Sequence, residues 1–226
     1  QIAETLIIHK GISKDQALKE AANLLDKTKI PEASKRARQY PFEYSGGMLQ
    51  RAIIAMGIAC KPKVLIADEP TTALDVTIQE QILDLMQELQ KEDNMSIILI
   101  THDLGVVARM ADNVAVMYAG QVVEEGDVDS IFYKSSHPYT LGLKSAMPVN
   151  DEQNSVKLVP IDGSPPDLFS PPKGCGYYAR CPYAMKVCKD TNPSLNSLDG
   201  NHGSRCWLQD TRAPKKADLY QAHVEV

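Results

Sequence analysis

Two short apolar runs, Lys63–Ala67 and Met95–Ile100, are joined through a segment with Ile78, Ile82, Leu85, Met86 and Leu89 at helical spacing. Strands that are apolar nearly throughout are expected to be covered on both faces. Two such strands with a helix between them form a parallel pair through a crossover. The chain therefore predicts a parallel sheet in an α/β layer. Pro62 and Pro70 bound the first strand, and Leu104–Met110 makes a short helix after the second. Farther on, Val114–Tyr118 and Gln121–Glu125 flank Ala119-Gly120 as a terminal hairpin.

Upstream, Ser13-Lys14-Asp15-Gln16 fits a capping box. Ala17, Ala21, Leu24 and Leu25 then mark an amphipathic helix ending near Lys29, before Pro31. Ser45 is placed to cap a second helix, whose Ala52, Ile53, Ala55, Met56 and Ile58 leave almost no polar face. Deep burial is expected for it. After about Ser135 the periodicity fades, and prolines and glycines gather over residues 163–176. A boundary belongs there. It separates residues 1–135, split near residue 60 into a helical part and a sheet core, from residues 136–226.

The chemistry sits at turns. Ser45-Gly46-Gly47 lacks side chains that would keep backbone N–H groups from a phosphate, and a helix dipole lies behind it. An ordinary turn with an N-cap reads the same residues as well. Asp68-Glu69 ends the first strand, where a carboxylate can hold Mg²⁺ and its neighbour can deprotonate water. The plainer reading is a solvated acidic loop. Thr101-His102-Asp103 ends the second strand; a histidine there can donate to a terminal phosphate or be merely structural. Asp75 suits the N-cap of the helix from Val76.

Order changes the weight of these signals. Ser-Gly-Gly-Met-x-Gln-Arg, then Leu-Ile-Ala-Asp-Glu-Pro-Thr-Thr-Ala-Leu-Asp, then Ile-Thr-His-Asp-Leu resembles the signature, Walker B, D-loop and switch histidine of ABC ATPases, spanning residues 44–104. The resemblance implies a partial nucleotide-binding domain, with a helical subdomain and a RecA-like core. It implies that Asp68 assists Mg²⁺, Glu69 is the general base and His102 meets the γ-phosphate of ATP. Ser45, Gly46, Gly47, Met48 and Gln50 would close over ATP held by an identical or paralogous ATPase subunit, with Asp75 communicating across the interface. Tyr44 and Met48 depart from the commonest signature, and Met48 resembles the variant of oligopeptide and dipeptide importers. Soluble ABC proteins outside transport and a non-catalytic metal-binding regulatory fragment stand as alternatives.

No G-x-x-x-x-G-K-[ST] phosphate loop occurs in the 226 residues, and residue 1 is glutamine. The chain is expected to be the C-terminal part of a longer protein, lacking Walker A and Q-loop, and to be inactive on ATP alone. Its apolar stretches are too short to span a bilayer, and its net charge of −5 offers no attraction to nucleic acid. The expected place is peripheral, at the cytoplasmic face of the membrane. Two permease subunits and, indirectly, an extracytoplasmic peptide-binding protein are the implied partners.

Five cysteines are spread unevenly. Cys60 lies in an apolar helix and reads as a small buried hydrophobe. Cys175, Cys181, Cys188 and Cys206 crowd the last quarter without a close C-x-x-C pair. That spacing suits a [4Fe–4S] cluster better than Zn²⁺, with plain thiols as a third reading. His137-Pro138-Tyr139-Thr140 and the cysteines also resemble the C-terminal extension of peptide-importer ATPases.

Overall fold

A computed structural model describes residues 1–147 and 160–213. Residues 148–159 and 214–226, which the expected extension includes, lie outside the described residues. The chain divides into two compact units, Gln1–Asp103 and Leu104–Val226.

In the first unit, α1 (Ile2–Lys10), α2 (Lys14–Lys27), α3 (Ala33–Arg36) and α4 (Gly46–Ile58) precede β1 (Val64–Asp68), α5 (Val76–Asp93) and β2 (Ser96–Ile100). Ser13 Oγ accepts from Gln16 N at 3.3 Å, and α2 buries Ala17, Ala21, Leu24 and Leu25 as their spacing requires. Arg51 on α4 donates to Thr28 O and to Gln81 Oε1, at 3.1 and 3.2 Å, tying α4 to the end of α2 and to α5. The all-round burial expected for α4 is corrected. Only Ile54, Ala55 and Ile58 are buried, while Leu49 and Ile53 are exposed, because its neighbours α1, α2 and α5 cover one side. Cys60, expected to be buried, is only half-buried, with Sγ 4.0 Å from Thr5 O.

β1 and β2 pair in parallel, from Val64 beside Ser96 to Asp68 beside Ile100. The expectation that both faces are covered fails. Val64, Ile66, Ile98 and Ile100 are all exposed, Ile66 by 66%. Leu65 points the other way, its Cδ1 3.0 Å from where a Cβ on Gly57 of α4 would lie.

The second unit contains α6 (Leu104–Met110), β3 (Asn113–Tyr118), β4 (Gln121–Asp127), α7 (Val128–Tyr133), α8 (Pro138–Ser145), α9 (Lys186–Asp190), β5 (Asn196–Asp199) and β6 (His202–Ser204). Ala119 and Gly120 take φ of 49° and 75°, the left-handed pair that a tight hairpin turn needs. The hairpin is not terminal. β4 also pairs with β6, Glu124 opposite Ser204, giving the antiparallel order β3-β4-β6-β5. This pairing draws the cysteine segment into one unit with the hairpin, so residue 135 falls inside the second unit. Its core is Val116, Tyr118, Val123, Ile131 and Tyr177, with Cys175 and Cys181 packed against it. Among the described residues, no helix is long and apolar enough to cross a membrane.

Candidate functional site

Because β1 and β2 run in register, the residues after them leave the same end of the sheet. Glu69 N donates to Ile100 O at 2.9 Å, extending the ladder one step beyond Asp68. Glu69 then turns left-handed, with φ of 45°, directly before Pro70. A non-glycine residue there is strained, and strain of this kind gathers at functional turns. The turn delivers the carboxylate to two partners. Glu69 Oε1 lies 3.1 Å from His102 Nδ1, and Oε2 accepts from Thr72 Oγ1 at 2.8 Å. The Thr72 hydrogen bond first, and that of His102 next, hold the Glu69 carboxyl below its ordinary range. These hydrogen bonds favour the carboxylate form of Glu69. The pair is well exposed, so it adds little stability but remains accessible to a ligand. Asp68 is exposed at the strand's last position.

The Ser45 turn forms a second group. Ser45 Oγ accepts from Met48 N at 3.4 Å, and the residue is exposed. A Cβ on Gly47 would lie 2.7 Å from Ile78 Cγ2, and one on Gly46 3.5 Å from Leu74 Cδ2. The glycines therefore let the start of α4 press on the start of α5. There Asp75 Oδ1 accepts from Ile78 N at 2.9 Å. Gln50 and Met48 are half-buried. The structure thus joins Glu69 to His102, and the Ser45–Gly47 turn to the Asp75 helix start. Among the described residues no hydrogen bond links Ser45 to Glu69 or His102. Sequence reading missed Thr72, whose hydroxyl reaches Glu69 only through the left-handed turn. It also missed Gln79, whose Nε2 donates to Asp103 Oδ2 at 3.3 Å.

In the second unit, Cys175, Cys181, Cys188 and Cys206 line one cavity with His137, Tyr177 and Trp207. A loop hydrogen bond joins two of them, Cys175 N donating to Cys188 O at 2.8 Å, and Ala184 N closes a turn on Cys181 O at 3.2 Å. Burial first, and neighbouring thiols after it, push Cys181 and Cys206 up to about 12, and Cys175 is raised too. Without a cation beside them Cys175, Cys181 and Cys206 are neutral thiols. The expected metal group is not preformed: among the described residues no three His, Cys, Asp or Glu side chains can hold a metal ion as they stand. That holds for the cluster and the zinc alternative alike.

The His-Pro-Tyr-Thr segment gains a physical account here. Glu124, fully buried on β4, accepts from Ser136 N, from His137 N at 3.0 Å, and pairs with His202 Nε2 at 2.8 Å. It therefore anchors the start of α8 to β6. Pro138 fits the first helical position, and Tyr139 packs with Tyr118 and Tyr177, ring centroids 4.6 and 5.4 Å away.

With this geometry in hand, comparison with known proteins is direct. Residues 2–72 match the family model described as "ABC transporter", and residues 123–188 the one described as "Oligopeptide/dipeptide transporter, C-terminal region". The dipeptide transport ATP-binding protein DppD of Bacillus subtilis is 54% identical over 94% of this chain and 63% of its own length. The oligopeptide transport ATP-binding protein OppD of the same organism is 54% identical, over 95% and 60%. OppD of Salmonella typhimurium is 52% identical, over 85% and 57%. The chain thus spans about three-fifths of these relatives' length. Among solved structures, CbiO1 of Clostridium perfringens, part of the ABC transporter complex CbiONQ, matches with a TM-score of 0.51 and 33% identity, covering 60% of this chain and 53% of that one. Over 94% of its length, the chain is homologous to the ATP-binding proteins of dipeptide and oligopeptide transport.

Proposed function

We propose that this chain carries the Walker B, signature and C-terminal parts of an ATPase subunit that energises peptide import. The observation that carries the reading is the exposed Glu69–His102 pair at the end of two parallel strands. In this reading Asp68 helps hold Mg²⁺ and Glu69, already ionised, takes the proton of the attacking water. With His102 Nδ1 donating to Glu69, its Nε2 carries a proton only when the ring is cationic, a state that an anionic γ-phosphate favours. Ser45, Gly46 and Gly47, with Met48 and Gln50, close over ATP bound on a partner ATPase subunit, and Asp75 lies at that contact. Two permeases and an external peptide-binding protein complete the importer, which places the chain at the cytoplasmic membrane face.

The test uses the full-length protein assembled with its permeases in lipid vesicles. Glu69→Gln is expected to lower ATP turnover and peptide uptake together by about 100-fold or more, the scale of a lost general base, while ATP-driven association of the ATPase subunits persists. Turnover within a few-fold of wild type removes Glu69 from the role. The 226-residue chain alone is expected to show no turnover.

The same proposal assigns Cys175, Cys181, Cys188 and Cys206 to a [4Fe–4S] cluster. Four cysteines line one cavity, a donor count that suits a cluster. Among the described residues no three such side chains can hold a metal ion as they stand, so the cysteines must rearrange to take a cluster. The free space is about 10 Å³, room for one water, so loading requires the thiols to swing outward about χ1. When bound, the cluster cross-links loops that share little regular structure. Iron and sulfide analysis of anaerobically purified protein tests it, and zinc in place of iron overturns it.

A further inference from the structure

The His102 ring is held by little packing of its own. Its side chain is 78% exposed, and Nδ1 meets Glu69 Oε1 at 3.1 Å. Where the ring stands is therefore set largely by the backbone of residues 101–103. Asp103 N donates to Thr101 Oγ1 at 3.1 Å, which folds that backbone into a turn around His102. Asp103 Oδ2 in turn accepts from Gln79 Nε2 at 3.3 Å, across 24 residues of chain. Gln79 stands on a firm base. It is half-buried, and its backbone N–H donates to Asp75 O at 2.8 Å in the first turn of α5. Asp75 Oδ1 caps the same turn at Ile78 N, and Ile78 closes on Gly47. The start of α5 thus meets the Ser45–Gly47 turn through Ile78 and the His102 turn through the Gln79 amide.

We propose that Gln79 is a positioning residue for His102: through Asp103 it holds the turn that carries the histidine and ties that turn to the start of α5. The proposal rests on the reading above, in which Glu69 and His102 act on ATP. Gln79 itself takes no part in the chemistry. Its amide suits the task, because a neutral donor can hold the Asp103 carboxylate without adding a charge beside the His102 turn, and a hydrogen bond to a charged acceptor is stronger than a neutral one. A catalytic side chain that is so exposed depends on such support to keep its geometry.

Exchanging donor and acceptor tests the contact. Gln79→Glu sets a carboxylate against Asp103, and Gln79→Glu combined with Asp103→Asn restores a hydrogen bond in the reverse direction. ATP turnover is measured in the full-length protein assembled with its permeases in lipid vesicles. Gln79→Glu is expected to lower kcat about three- to tenfold, the scale of one lost hydrogen bond, with KM for ATP unchanged. The double variant is expected to recover to within about twofold of wild type, the non-additivity of two residues in contact. A wild-type kcat in Gln79→Glu overturns the proposal, and so does a double variant no faster than the single one. Should Gln79→Glu fail to fold, Gln79→Leu deletes the donor without adding charge and carries the same expectation for kcat. Glu69→Gln in the same vesicles separates the two ways of failing. If it turns over like wild type, the reading of the site itself falls; if it is inactive while Gln79→Glu is normal, the role of Gln79 alone falls.

Discussion

Gly47 shows how a turn proposed to meet a phosphate and a packing contact share one residue. Its missing side chain leaves backbone N–H groups open, yet the same absence lets Ile78 sit where a Cβ would go. Gly47→Ala forces Ile78 or α4 to shift, with an expected cost of about 1–3 kcal/mol. Urea unfolding of the full chain measures it, and Gly47→Ala should cost less in an Ile78→Ala background, which lacks the Cγ2 methyl that the new Cβ meets. Full additivity of the two changes would show that the Cβ meets something else. Glu69 belongs to the same scale. Hydrogen bonds from Thr72 and His102 keep its carboxyl depressed, so the base form persists as pH falls through the usual carboxylate range. The acid limb of turnover in the full-length protein is expected below that range, and Thr72→Val should move it upward in a pH–rate profile. Much of this was legible. Ser45 and Asp75 do cap their helices, as their residue types announce. Thr72 was not, because a hydroxyl near a carboxylate matters only once the left-handed turn at Glu69 folds it back.

At the scale of elements, the second unit is held by a buried carboxylate joining segments distant in sequence. Glu124 on β4 receives two backbone N–H groups at the start of α8 and the imidazole of His202 on β6. Glu124→Ala leaves all three without an acceptor, and the expected loss is about 3–5 kcal/mol. Trp207, the chain's single tryptophan, lies in this unit and reports its unfolding by fluorescence. A loss below 1 kcal/mol in that measurement would mean that water replaces the carboxylate without cost. Gly174 makes a related demand, since a Cβ there would lie 2.2 Å from Cys188 O. Gly174→Ala should therefore disrupt the cysteine loops even with no metal present. The hairpin was readable from the two runs that flank Ala119-Gly120. The long-range strand was not: β6 is the three residues His202–Ser204, too short to alternate, and its partner Glu124 reads in sequence as a surface charge.

For the whole molecule, the parallel strand pair sets the weak point. β1 and β2 were visible as apolar runs, and apolarity on both faces implied covers on both faces. One cover is present: α4 lies over the Leu65 side. On the other side Ile66 and Ile98 stand next to each other in register, 66% and 52% exposed, flanked by Val64 and Ile100. A two-stranded sheet is short of the three strands that give independent stability, and an apolar patch of this kind drives association. The isolated 226-residue chain is therefore expected to self-associate through this face. Ile66→Thr with Ile98→Thr keeps the β-branched shape that strands favour while making the face polar. Sedimentation at increasing concentration should show the wild-type chain growing in mass and the double variant growing less. Equal association of both would place the contact elsewhere. The sequence pattern and the open face then make one argument: strands written for burial on both sides remain incomplete until a second layer covers Ile66 and Ile98.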